Sequence, residues 1–407
     1  MAPSRSRLDT ASSLSLARAL RDLGEGFAAV IMPVYLISLG LGPGEIGLVA
    51  TLALLGSALL TLLIGAFGNR FGERRLLLAA SVMMLATGIG FAVIADYALI
   101  LPLAFVGTLN PGAGNTSVFV PPEHSWLSRS VADHARTSAF ARYGLIGSMA
   151  GAVGSLAAGS PELLAGFGVS KLAAFKLMFL LYGALGVCVG LVYASLPASE
   201  PGPEQAPDTP LGPSRGIVLK LAALFSIDSF ASGFMVQSLL ALFLFERFGL
   251  SLASAGLFFF WSGVLSAFSQ PIAAHIARRI GLINTMVFTH IPASLFLILG
   301  AIVPSLPWAL TFLLIRAFLS QMDVPARSSY VMAVVTPPER TAAASFTAVP
   351  RSLAAALSPA LAGGLMAMGY TAWPLVICGT LKIVYDLALL YAFSHIKPPE
   401  EQRAAVR

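Results

Sequence analysis

Charge is scarce in this chain: Lys, Arg, Asp and Glu make up 11% of its 407 residues, against roughly a quarter in soluble domains. Cysteine is scarcer still. The 2 present, Cys188 and Cys378, both lie in apolar runs, which leaves no disulfide framework and no cysteine-based metal site. H-E-x-x-H, G-x-S-x-G, a P-loop and G-x-G-x-x-G are all missing, so the chain offers no nucleophile, base, metal or dinucleotide constellation. These absences argue against an enzyme, and no cofactor or metal is expected. What fills the space is apolar: 57% of residues, with a mean hydropathy of +0.83. Such a chain has lipid as its solvent.

About twenty consecutive apolar residues span a bilayer as a helix. Twelve such runs occur, near 16–38, 46–68, 76–95, 98–120, 138–160, 171–194, 217–245, 252–274, 282–303, 307–330, 341–368 and 373–394. The expected fold is therefore all-α and polytopic, with twelve transmembrane helices in two six-helix halves, 1–194 and 217–394. The fourth, seventh, tenth and eleventh runs exceed what the bilayer needs, and tilt is the expected way to absorb the excess. A Pro-rich stretch with acidic residues, 195–216, reads as a solvated linker, and 395–407 as a tail. Basic residues cluster on one side: Arg5, Arg7, Arg70, Arg74, Arg75, Arg129, Arg136, Arg278, Arg279, Arg340, Lys397, Arg403 and Arg407. The positive-inside rule then places both termini and the linker in the cytoplasm, and the net charge of +6 becomes a topology signal with no nucleic-acid partner implied. Arg18, Arg21, Asp22 and Glu25 interrupt the first run, so it is read as helix 1 and not as a cleaved signal. The sequon Asn115-Thr116-Ser117 falls in a membrane segment and is discounted.

The chain also repeats itself. Pro121, Trp126, Arg136-Thr137 and Ala158-Gly159 recur at an offset of 204 as Pro325, Tyr330, Arg340-Thr341 and Ala362-Gly363. Earlier, Leu39-Gly40-Leu41, Gly47, Arg70 and Gly72 are echoed at an offset of 209 by Phe248-Gly249-Leu250, Gly256, Arg279 and Gly281. Parallel half-length repeats are how many transporters build a site between two rocking halves.

After the second run stands Gly65-Ala66-Phe67-Gly68-Asn69-Arg70-Phe71-Gly72-Glu73-Arg74-Arg75. This resembles the loop signature of the major facilitator superfamily, with Asn69 where the pattern has an acidic residue. The resemblance extends over the whole chain, in helix count, duplicated halves, central loop and the Arg-led starts of helices 5 and 11. It implies a transporter fold with helices 1, 4, 7 and 10 around a central cavity, and a gating role for Gly65, Asn69, Arg70, Gly72 and Arg74. Physically, glycines permit close helix approach and Arg side chains cap helix C-termini. Helix 5 lacks the Gly-Pro pair of the family's drug antiporters, whereas helix 11 carries Ser358-Pro359 and Gly363-Gly364.

Broken helices at matching positions are the sequence pointer to a binding site. Helix 4 holds Asn110-Pro111-Gly112 and Asn115; helix 10 holds Arg316, Gln321, Asp323 and Pro325. Freed backbone groups there must face protein, water or ligand. Deep charges are the second pointer. Glu25, Asp228, Arg316, Arg351 and Lys382 fall near the midplane, with Asp22, Asp323 and Asp386 nearer the cytoplasm. Arg316 and Asp323, seven apart, are expected on one face of one helix. Lys382 and Asp386, four apart on helix 12, are expected to pair with each other. Trp261, after Phe258-Phe259-Phe260, is a candidate stacking surface for an apolar or aromatic ligand, with ordinary packing as the alternative. The candidate substrate residues are thus Asn110, Asn115, Arg316, Gln321, Asp323, Arg351 and Trp261, and the candidate ion-coupling residues Glu25, Asp22 and Asp228.

These readings lead to a monomeric secondary transporter of the bacterial cytoplasmic (inner) membrane. It works by alternating access and couples a small-molecule substrate to a proton or other ion. The substrate expectation leans to efflux of an amphiphile or drug. Uptake or exchange of a small organic anion or polar metabolite is the alternative, and a lipid flippase or non-transporting sensor on the same scaffold a third.

Overall fold

The computed structural model describes residues 5–67, 71–112, 117–132, 135–197, 212–336 and 339–396. Most of the linker and tail expected from the sequence lie outside these residues, as do Asn69, Arg70 and Asn115. Sixteen helices occur among the described residues: α1 (Arg5–Ser38), α2 (Pro43–Phe67), α3 (Glu73–Val93), α4 (Tyr97–Val106), α5 (Val120–Ser130), α6 (Arg136–Ala157), α7 (Ser160–Gly166) and α8 (Lys171–Ser195), followed by α9 (Arg215–Gly233), α10 (Gln237–Phe248), α11 (Leu252–Ile280), α12 (Leu282–Ile302), α13 (Leu306–Leu319), α14 (Asp323–Val334), α15 (Arg340–Ala367) and α16 (Trp373–Phe393). They make twelve spans, because α4 with α5, α9 with α10 and α13 with α14 are single spans broken in the middle, while α7 is a short connector.

Three of the four over-long runs are these broken ones, so their excess length goes with an interruption of the helix. Eight stretches are long and apolar enough by composition alone to cross a membrane, and these leave out α1, the α4/α5 pair, α6 and α15. Of these, α4 is apolar but only 10 residues long, whereas polar side chains interrupt the longer helices, among them Arg18, Asp22 and Glu25 in α1 and Arg351 in α15. Elsewhere large apolar side chains face outward, as Val82, Ile89 and Val93 do on α3, which suits a lipid surround.

The chain divides into two compact units, Met1–Glu204 with Val236–Gly263, and Gln205–Met235 with Val264–Arg407. In the first, α1 packs on α6 and α8, α3 on α8, and α2 on α4, with α10 against α1. One of its close crossings is α1 on α6. A Cβ on Gly154 would lie 2.1 Å from the Leu23 carbonyl oxygen, and one on Gly26 2.2 Å from that of Gly151. Small residues there let the backbones touch, which is how helices associate where lipid removes the hydrophobic drive. Gly154→Leu should therefore destabilise the protein by about 1–3 kcal/mol or prevent folding. Gly144→Ala, where an added Cβ meets nothing within 4 Å, should be neutral in the same thermal-unfolding measurement.

In the second unit α9 packs on α15 and α16, and α12 on α13, α14 and α16. The run expected to be continuous over 217–245 breaks after Gly233, although no proline is present. A Cβ on Gly233 would lie 2.3 Å from the Ala355 carbonyl oxygen and 2.0 Å from Ser358 Oγ, so α9 ends where it is pressed onto α15. At the start of α15, Glu339 accepts from Thr336 Oγ1 at 2.5 Å and from the Gly212 amide, tying the α14–α15 connection to the end of the linker. Hydrogen bonds from the Ser214 and Thr336 hydroxyls, and from backbone amides, hold its carboxyl down to about 2 from an ordinary 4.5.

Candidate functional site

The first unit buries a charged cluster on α1 and α5. Arg18 Nε bonds Asp22, its neighbour one turn on; Arg21 reaches Asp22 Oδ1 at 3.3 Å and Glu123 Oε2 at 2.8 Å. Glu123 also accepts from the Tyr193 hydroxyl at 2.6 Å and from the Tyr143 hydroxyl. Glu25 differs from the other two acids. Its only ionic neighbour is Arg21 Nε, at 3.7 Å, and neither of its buried oxygens has a hydrogen-bond partner among the described residues. Arg21 Nη2 is likewise buried without a partner. Two guanidiniums thus face three carboxylates, and the one left uncovered is Glu25.

The second unit carries a larger network on α9, α12, α14, α15 and α16. Asp228 is its hub: Oδ1 accepts from Lys382 Nζ at 2.6 Å and Oδ2 from Arg327 Nη1 at 3.1 Å. Arg327 also holds Asp323 at 3.1 Å, one turn before it on α14. Lys382 donates further to Ser232 Oγ at 2.7 Å and approaches His290 Nε2 at 3.4 Å. His290 Nδ1 meets both oxygens of Asp386 at 3.0 Å. Arg351 Nε bonds Ser229 Oγ at 3.1 Å, while the guanidiniums of Arg327 and Arg351 lie 5.7 and 5.9 Å from the Phe225 ring centre. Among the described residues the terminal nitrogens of Arg351 have no hydrogen-bond or ion-pair partner. The side chain of Arg316, on α13, has no hydrogen bond or ion pair there either.

Two expectations are corrected by this geometry. Arg316 and Asp323 do not share a helical face, because the chain turns at residues 320–322 and the two-turn register stops there; Asp323 goes to Arg327 instead. Lys382 and Asp386 do not neutralise each other locally but reach Asp228 and His290. Asp228, Asp323 and Arg351 are brought together, with Arg316 on the neighbouring α13. Gln321 occupies the break between α13 and α14, and Asn110 that between α4 and α5, where its Oδ1 accepts from the Gly112 amide at 2.9 Å and shapes the turn. Trp261 is half-exposed on α11, edge-on to Phe260 at 5.4 Å, and belongs to the first unit with Asp22 and Glu25. Of the loop motif, Gly65 lies in α2 and Gly72 precedes α3, while Arg74 bonds the Ala194 carbonyl and so caps the last turn of α8.

Sequence reading passed over Glu123, Arg327 and His290. The repeat contained a signal for two of them: 327 minus 123 is 204, the same offset that relates Pro121 to Pro325. Each of these residues bonds the first helix of its unit's network, Glu123 to Arg21 and Arg327 to Asp228, with the charges reversed. His290 is a lone histidine in an apolar run, and nothing nearby in sequence announces it.

Two units of packed membrane helices, each with an interrupted fourth span and a buried polar network, define a polytopic transporter fold. The chain belongs to the major facilitator superfamily, whose family model matches residues 14–322 and 221–407. It is 24% identical over 410 residues to an uncharacterized membrane protein of Saccharomyces cerevisiae, YJR124C, with 92% of each chain covered. Among solved structures it is similar to a bacterial homolog of the human lysosomal transporter Spinster in an inward-facing, occupied conformation, at 16% identity and a TM-score of 0.76, over 96% of this chain and 97% of that one. The nucleoside transporter NupG matches at 15% identity and a TM-score of 0.72, over 95% and 99% of the two chains. The human organic anion transporter MFSD10 matches at 17% and 0.63, over 95% and 100%. At these identities the likeness is one of fold.

Proposed function

We propose that the protein is a secondary transporter that moves one proton together with one small organic monoanion, by alternating access. The observation that carries this reading is a complementary imbalance of buried charge. In the first unit's cluster three carboxylates outnumber two guanidiniums. In the second, the cations Arg316, Arg327, Arg351 and Lys382 outnumber the carboxylates Asp228, Asp323 and Asp386 by one. A proton satisfies the first and a monoanion the second. Uncompensated charge at membrane depth costs several kcal/mol, so each unit stands to gain from one ligand of the matching sign.

In this reading Glu25 carries the proton. Protonated, it leaves Arg21 to Glu123; on losing the proton, its carboxylate is drawn to the vacant Arg21 Nη2, and α1 shifts against α5. That gives the proton a differential hold on two conformations, which any coupled change requires. The anion takes Arg316 and the terminal nitrogens of Arg351. A guanidinium offers paired donors matched to a carboxylate or sulfonate. This reading selects the organic anion over amphiphile efflux, because the free cations sit in the second unit and Trp261 in the first. In this reading the protein sits in the cytoplasmic (inner) membrane, and the basic loop residues support an orientation with both termini cytoplasmic.

Thermal unfolding of the purified protein against panels of organic monoanions, nucleosides, lipids and cationic drugs tests the substrate class. A ligand at a hundred times its Kd raises stability by about 2.7 kcal/mol. Monoanions should stabilise, and Arg316→Lys should weaken that binding by about tenfold or more, since loss of a charged hydrogen bond costs about 1.5–3 kcal/mol. Stabilisation by cationic amphiphiles alone, or unchanged anion affinity in Arg316→Lys, would count against the anion site.

A further inference from the structure

We propose that His290 is a second proton-binding residue, held by Asp386, whose protonation state decides whether Lys382 or His290 itself occupies Asp228. This goes beyond the proton assigned to Glu25, and only its consequence for the anion rests on that earlier reading. The inference starts from hydrogen-bond chemistry. A lysine ammonium has three donors and no acceptor. Lys382 Nζ lies 3.4 Å from His290 Nε2, an arrangement that suits a neutral ring whose bare Nε2 accepts from the ammonium. The hydrogen then sits on Nδ1, which faces both Asp386 oxygens at 3.0 Å. A carboxylate on one ring nitrogen fixes which nitrogen carries the proton.

A proton added to Nε2 would set an N–H against an ammonium at that distance, two donors with nothing to accept. The contact must break. Asp228 Oδ1 lies 3.9 Å from Nε2 and 2.6 Å from Lys382 Nζ, so a small rotation of the ring exchanges one cation for the other on the same oxygen. Lys382 keeps Ser232 at 2.7 Å and gains freedom of its charge.

Among the described residues, the charged and titratable neighbours lie on four helices. On α16 lie Lys382, Asp386 and the Tyr385 ring, edge-on at 6.1 Å; on α9, Asp228. Arg327 on α14 reaches the switch through the other oxygen of Asp228, and Arg316 lies on α13, which packs against α12. Imidazolium formation adds one positive charge next to Asp386 and Asp228, both already placed to receive it. The freed ammonium joins Arg316 and Arg351 as a third cation for an anionic substrate. Proton binding at His290 would thus strengthen anion binding in the same unit.

Magnetic resonance of the full-length purified protein, labelled with nitrogen-15 in histidine rings and lysine Nζ, reads the switch without any substrate. The His290 signal is assigned by its loss in His290→Gln. Should that variant fail to fold, replacing His124, His134, His275 and His395 in turn assigns it by elimination. At alkaline pH His290 should carry its hydrogen on Nδ1, with Nε2 bare. On acidification the imidazolium should form and the Lys382 Nζ signal should move with the same midpoint; in His290→Gln that movement should vanish. Asp386→Ala, which removes the acceptor, should leave both ring nitrogens partly protonated at alkaline pH. A neutral form with hydrogen on Nε2, a His290 that stays neutral wherever the protein stays folded, or a Lys382 response unchanged in His290→Gln would each overturn the proposal. Failure of Glu25 as the coupling residue would alter transport and leave these spectra as they are.

Discussion

Glu25→Gln should abolish anion accumulation driven by a pH gradient while leaving exchange of substrate across the membrane intact. One proton per anion gives about tenfold accumulation for each unit of pH difference, since that difference equals about 1.4 kcal/mol. The variant should bring the ratio to about one. Gln matches Glu in shape and lacks the titrating group, and the carboxylate it replaces has no hydrogen-bond partner to lose among the described residues. Arg21 keeps Glu123 at 2.8 Å and Asp22 at 3.3 Å, so the α1–α5 contact and the fold should survive. Counterflow measured with the same proteoliposomes separates lost coupling from lost protein. A variant that still concentrates substrate normally under a pH gradient would remove Glu25 from the mechanism.

Asp228→Asn should be far more damaging to the protein itself. One carboxylate holds Lys382 at 2.6 Å and Arg327 at 3.1 Å, both buried. Removing its charge leaves two cations competing for Asp323 and Asp386. Breaking a buried pair from one side costs about 3–5 kcal/mol, a large part of the stability of an ordinary domain. We therefore expect a large drop in unfolding temperature and low yield. Lys382→Met combined with Asp228→Asn should recover part of the loss, because one of the orphaned charges leaves with its partner. If Asp228→Asn unfolds like the parent protein, the hub does not hold the second unit together. Sequence reading treated Asp228 and Glu25 as equal candidates for the coupling proton; geometry separates them, since Asp228 has two cations and Glu25 has half of one.

The spans and the repeat could be read from sequence because lipid allows few solutions: backbone groups must be satisfied within helices, so hydropathy marks each crossing. The break between α4 and α5 announced itself through Pro111-Gly112, and that between α13 and α14 through Pro325. The break at Gly233 did not, because its cause is the pressure of α15 at Ala355 and Ser358, residues more than a hundred positions away. The network in the second unit was missed for a related reason. Reasoning by i, i+4 spacing assigned Lys382 to Asp386, but a helix in a bundle meets its neighbours across a cavity as readily as along itself, and His290 came between them from α12. Arg316 and Asp323 were joined by a helical register that the turn at 320–322 interrupts. Glu123 and Arg327 stood in the repeat at its own offset, and asking which charged positions the repeat relates would have found both.

The central claim is that one proton and one monoanion move together, and it makes the transport cycle electrically silent. Protein reconstituted in liposomes with an internal pH dye, under a membrane potential set by potassium and valinomycin, measures this directly. Using the organic monoanion that stabilises best in thermal unfolding, the account predicts internal acidification on adding the anion outside, at a rate indifferent to the potential. Anion transport without acidification, or acidification whose rate follows the potential, would contradict it.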